Sequence, residues 1–165
     1  GYAINHRIEV LEKKVSSIEI KNTEFQLLLS SNLPPQQGVF FEGELFDAHV
    51  LISRIIKSAN QSIFLFDNYI DETVLTQLSK KNKGVTVKIY IKNISRQLQL
   101  DVEKFNTQYG SLQVIEFGKS HDRFLIIDQT AIYHLGASLK DLGKKWFAFS
   151  KLLIDPALIL GKLDS

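Results

Sequence analysis

Apolar residues at Ile4, Ile8, Leu11, Val15, Ile18, Phe25 and Leu29, with Asn22 in the same series, recur at alternating steps of four and three. Such a heptad seam predicts a long helix with a continuous apolar stripe. With Ile4 as the first d position, Ile8, Val15, Asn22 and Leu29 occupy a, while Leu11, Ile18 and Phe25 occupy d. β-Branched residues and one Asn at a favour a parallel two-stranded coiled coil, because paired amides hydrogen-bond across the seam. The flanks agree, since Arg7 at g would meet Glu12 at e of a partner, and Lys14 would meet Glu19. Ile20, Leu27 and Leu28 lie off the seam and leave open a second arrangement, an amphipathic helix packed on its own domain. The consecutive prolines of Asn32-Leu-Pro-Pro-Gln-Gln-Gly38 stop the helix. The expected organisation is a dimerisation helix over 1–31, a linker over 32–43 and an α/β domain over 44–165. The expected dimer contacts are Ile8, Leu11, Val15, Ile18, Asn22 and Phe25.

Beyond the linker the pattern alternates between helical and extended periods. Residues 44–59 read as an amphipathic helix, and Ser62-Ile-Phe-Leu-Phe-Asp67 as a buried strand. Asp71 is placed to cap a helix running to about Lys81, and 85–91 alternates as a strand. Residues 95–109 form a helix closed by Gly110. Strands follow at 112–117, 123–128, 131–135 and 145–152, with a last helix opened by Pro156. Strands alternating with helices predict a mainly parallel sheet covered on both faces, with antiparallel strands late in the chain. Phe124-Leu-Ile-Ile127 leaves no polar side and is expected to be a central strand.

Composition narrows the chemistry. The chain has 165 residues, 44% hydrophobic and 23% charged, which fits a globular domain with an appendage. It contains no cysteine, so disulfides, thiolate metal sites and cysteine nucleophiles are excluded. No His/Asp/Glu spacing points to a metal site, and no apolar run is long enough to span a bilayer. Without a signal peptide pattern, a cytoplasmic location is expected. The chain contains no methionine, not even an initiator, so its numbering is expected to start inside a longer polypeptide. Net charge is +2, which permits a nucleic-acid partner without arguing for one. Charge is uneven: six acids fall in 42–72 against Arg54 and Lys57, and seven bases in 79–110 against Asp101 and Glu103.

The candidate chemistry lies between 119 and 145. In His121-Asp-Arg123, side chains two apart on an extended segment point to one side, so an imidazole and a guanidinium would share a pocket. Asp128 closes the same strand, and Leu135-Gly-Ala-Ser138 places small residues and a hydroxyl near the strand ends. Lys140 follows, and Lys144-Lys145-Trp-Phe147 combines charge with aromatic rings as a nucleic-acid contact would, although Trp146 and Phe147 are residue types more often found in a core. His134 reads as a core or rim histidine, His6 falls at a solvent-facing f position, and His49 lies on a helix with acids nearby.

His121, Arg123 and Asp128, followed by Gly136-Ala-Ser138, resemble the signature of the phospholipase D-like superfamily, His-x-Lys-x4-Asp then Gly-Ser-x-Asn. The likeness covers about residues 40–155. It implies a phospholipase D-like mixed, mainly parallel sheet with helices on both faces. It also implies metal-independent, cofactor-free phosphodiester chemistry, with histidine as nucleophile and lysines on the phosphoryl oxygens. By that resemblance His121, Arg123, Asp128 and Ser138 are the catalytic set, and Arg123, Lys140, Lys144 and Lys145 are phosphate or nucleic-acid contacts. Family members with one signature dimerise to bring two histidines together. Arg123 departs from the family's lysine, and Lys140 from its asparagine in one alignment. The whole chain also resembles the C-terminal region of Orf6N/KilA-N-type phage regulators, in which a segment like Gly1–Glu12 joins it to an N-terminal DNA-binding domain. Three functions follow as expectations: a phosphate- or nucleic-acid-binding dimeric effector with a degenerate site, an active phosphodiesterase or nuclease, or a structural dimerisation or sensing module.

Overall fold

The computed structural model describes residues 2–30 and 36–163, in two compact units, 1–34 and 35–165. The first unit is α1 (Tyr2–Ser30), 29 residues long, about 40 Å at ~1.5 Å per residue. Its predicted seam is exposed as far as the side chains are described: Ile4, Ile8, Leu11, Val15 and Ile18 all stand open to solvent. A shallow apolar groove is lined by Ile8, Leu11, Glu12, Val15 and Ser16. The side chains of Asn22, Phe25 and Leu29 lie outside the described residues.

The second unit runs β1 (Gln37–Phe40), α2 (Leu45–Lys57), β2 (Ser62–Phe66), α3 (Glu72–Leu78), β3 (Thr86–Ile91), α4 (Arg96–Gln108), β4 (Leu112–Glu116), β5 (Arg123–Ile127), β6 (Ala131–Leu135), β7 (Phe147–Leu152) and α5 (Ala157–Leu160). A single 3-10 turn, Leu139–Asp141, lies between β6 and β7. The seven strands form one sheet in the order β1-β7-β6-β5-β2-β3-β4. As predicted, Asp71 caps α3 by accepting from the N–H groups of Thr73 and Val74. Ser95 caps α4 through Leu98 N.

Two expectations need correction. The sheet is mixed but not mainly parallel: β2–β3 and β3–β4 are parallel, while β1–β7, β2–β5, β5–β6 and β6–β7 are antiparallel. Parallel neighbours need a long crossover, supplied here by α3 and α4. The later strands are joined without an intervening crossover helix, so each returns antiparallel. Residues 32–43, read as a linker, contain β1, a short strand held by β7 with Phe40 opposite Phe147. Its brevity and its flanking prolines and glycine hid it.

Alternation along the strands sorts the core onto two faces. Ile63, Leu65, Ile89, Leu125, Ile127 and Leu135 pack with α2, α3 and α4. Phe64, Phe66, Tyr90, Ile126 and Ile132 form the opposite cluster, where Ile159 and Leu160 of α5 pack. Helical cover is therefore two-sided but lopsided. β5 lies at the middle of the sheet with Leu125, Ile126 and Ile127 buried, as its four apolar residues required.

Candidate functional site

One end of this sheet gathers the carboxyl ends of β2, β3, β4 and β6, the start of β5, and the β1 and β7 ends at Phe40 and Phe147. In open α/β sheets, ligands bind outside the carboxyl ends of the parallel strands where strand order reverses. Here that position lies between β2, which is followed directly by Asp67, and β5, which begins at Arg123.

Arg123 is half-buried on β5 and donates from Nε to Leu135 O (3.3 Å) and from Nη2 to Gly136 O (3.1 Å). Gly136 is required there, because a Cβ would stand 2.9 Å from Ala148 O of β7. The close approach of β6 to β7 thus presents these carbonyls to the guanidinium. Nη1 of Arg123 makes no hydrogen bond among the described residues.

Close enough to feel the Arg123 charge is Asp67, buried directly after β2. Its carboxylate accepts from Tyr69 N (3.0 Å), Leu139 N (3.0 Å) and Ser138 Oγ (2.9 Å). Burial raises the Asp67 pKa above the ordinary carboxylate value, opposed by these donors and by the Arg123 charge. Ser138 is buried, also lies 3.0 Å from Tyr69 O, and accepts from Lys140 N. Its hydroxyl is a strut between β2 and the loop after β6.

His121 is exposed on the loop before β5. Asn68 positions that loop: its Nδ2 donates to Ser120 O (3.3 Å), and its Oδ1 accepts from Lys92 N (2.9 Å). Asp122 is turned to His134, with Oδ2 3.5 Å from Nε2. That contact makes His134 a partnered rim residue.

Asp128 is not brought to His121. At the opposite end of β5, its carboxylate accepts from the backbone N–H groups of Asn60, Gln61 and Ser62 at 2.6–3.0 Å. Burial alone would raise its pKa, but these donors lower it below the ordinary value. It clamps the start of β2 to the end of β5. Among the remaining cations, Lys140 Nζ stands 5.3 Å over the Tyr69 ring and Lys144 pairs with Asp141 at 3.7 Å, while Lys145 is exposed. His49, away from this end, contacts Gln77 between α2 and α3, its pKa lowered by burial and by Lys80.

Sequence reasoning placed His121, Arg123, Ser138 and Lys140 at this end of the sheet. It missed Asp67 and Asn68 as site residues. Their signal was a polar pair directly after a wholly apolar strand, the position where a parallel strand delivers side chains to a ligand. Among the described residues no three His, Cys, Asp or Glu side chains gather as a metal site, and no helix is long and apolar enough to cross a membrane.

No protein-family model and no curated protein matches the chain. Its fold does match solved structures. NucT from Helicobacter pylori is similar at a TM-score of 0.54 and 16% identity, over 76% of this chain and 89% of that one. TrmBL2, an archaeal chromatin protein whose structure shows a novel mode of DNA binding, is similar at a TM-score of 0.50 and 17% identity. That match covers 98% of this chain but 64% of TrmBL2, so the chain spans less than two thirds of that protein's length. At these identities the likeness is one of fold. It is the likeness of an α/β body built on one mixed sheet.

Proposed function

We propose that the body binds nucleic acid by holding a backbone phosphate at the His121–Arg123 end of the sheet, without turnover. In this reading α1 carries the body by pairing with a second copy along the Ile8–Phe25 seam. The chain is then the effector part of a DNA-binding regulator of the Orf6N/KilA-N phage type. The observation that carries the reading is the anchoring of Arg123. Two backbone carbonyls hold its guanidinium by Nε and Nη2. Its Nη1 amine keeps its donors for an anion, and an arginine fork suits phosphate. The DNA binding described for TrmBL2, whose matched span includes α1 as well as the body, supports a nucleic-acid ligand.

Binding is favoured over cleavage for two reasons. Arg123 stands where the resembling family has lysine, and a planar guanidinium fixed by two carbonyls does not reproduce an ammonium's placement on the phosphoryl oxygens. The carboxylate next to His121 in sequence, Asp122, is engaged by His134 and does not orient a nucleophilic imidazole. A second reading, a phosphodiesterase assembled from the His121 side chains of two subunits, is favoured by the exposure of His121. Anisotropy titrations of the full chain with a labelled oligonucleotide test the proposal. Arg123→Ala should weaken binding about tenfold, the loss of one charge-assisted contact. His121→Ala should leave affinity within about twofold. Unchanged affinity in a folded Arg123→Ala variant would contradict the reading.

A further inference from the structure

Phe41 and Trp146 stand directly beyond the last β1–β7 pair, Phe40 opposite Phe147, at the same end of the sheet as Arg123. Their rings meet edge to face with centroids 4.9 Å apart, yet Trp146 remains 71% exposed and Phe41 45%. A large aromatic ring held out to solvent forfeits the burial that ordinarily stabilises it. This pair is nevertheless fixed from three sides. Strand register places both residues, Phe41 N donates to Glu44 Oε2 (3.2 Å), and Gly43 N donates to Gly143 O (3.3 Å). Gly143 permits that last approach through its positive φ of 80° and the absence of a Cβ, which would fall 2.5 Å from Leu45 Cα.

Charge around the pair is directional. On the Trp146 side, Lys145 is exposed without an ion pair among the described residues, and Lys144 is exposed beside Asp141. On the Phe41 side the exposed charges are Glu42 and Asp47. A polyanion is therefore drawn to the lysine flank and turned away from the other, with the indole face at the boundary. Resting on the nucleic-acid reading above, we infer that Trp146, braced by Phe41, is a stacking platform for an unpaired base. The phosphates of that strand would run past Lys145 toward Arg123. The ligand is then single-stranded nucleic acid, or a strand with a base out of the duplex, because a stacked duplex offers no free base face.

Trp146 is the only tryptophan in the chain, so its fluorescence reports this one site. The full chain should be titrated with an unlabelled single-stranded oligonucleotide and with the matching duplex, following emission, and with labelled versions followed by anisotropy. Expected are quenching by the single strand and weaker binding of the duplex. Trp146→Ala should lose roughly 5- to 100-fold in single-strand affinity, and Trp146→Phe should retain most of it. If nucleic acid binds without quenching, and Trp146→Ala binds as tightly as the parent, the platform is wrong while the nucleic-acid reading stands. No binding of either oligonucleotide overturns both. Emission that changes with protein concentration, together with weakened self-association of Trp146→Ala, would show a second copy on this face and overturn the platform.

Discussion

Asp67 and Asp128 sit at opposite ends of the antiparallel β2–β5 pair, and burial and donors shift them in opposite directions. For Asp128 the folded pKa lies below the unfolded value of ~3.9. Its stabilisation is therefore present above that value and lost as pH falls through the folded pKa. For Asp67 the folded pKa is raised, so its contribution favours the fold at low pH and is lost as pH rises through the folded value. Urea unfolding at several pH values from 3 upward should separate them. Asp128→Asn should flatten the acid loss, and Asp67→Asn should remove a decline with rising pH. Asp128→Ala should cost about 1–3 kcal/mol, since backbone donors lose their acceptor. An Asp128→Ala variant as stable as the parent would show that the clamp contributes nothing. Asp128 illustrates what a motif conceals: its place at the far end of the strand was legible, but the signature could not show that its carboxylate is spent on the backbone of Asn60, Gln61 and Ser62.

The β5–β6 hairpin turns through Asp128 and Gln129, both at positive φ (53° and 57°), with Thr130 N donating to Ile127 O at 3.0 Å. A tight turn of this kind favours glycine at its second central position. Gln129→Gly should therefore stabilise the body by about 0.5–1 kcal/mol in chemical denaturation, and a loss of stability would contradict that reading of the turn. Gly143→Ala should act in the opposite sense: the Leu45 backbone would have to move, loosening the loop that carries Trp146. Elements with strong periodicity, such as α2, α4 and the buried strands β2 and β5, were legible from residues alone. The late antiparallel strands were expected, but not that antiparallel pairs would outnumber parallel ones, because an apolar run carries no sign of which strand will be its neighbour. β1 was not legible either, because its four residues acquire extended structure from β7 rather than from their own pattern.

At the scale of the whole molecule the heptad seam on α1 predicts a dimer. Sedimentation should give about twice the 18.8 kDa chain mass. Leu11→Asp should weaken that association, whereas a chain monomeric at micromolar concentration would remove the coiled coil from the account. Pairing two bodies would raise avidity for a polyanion and make binding strongly salt-dependent, since each phosphate contact releases counterions. The central claim is binding without turnover, and a single-turnover incubation tests it most directly. End-labelled single-stranded DNA would be mixed with excess protein in EDTA under conditions where anisotropy shows the strand fully bound. The account predicts an intact strand after prolonged incubation. Cleavage in EDTA that disappears in His121→Ala, with binding retained, would contradict it and establish a metal-independent phosphodiesterase at this end of the sheet.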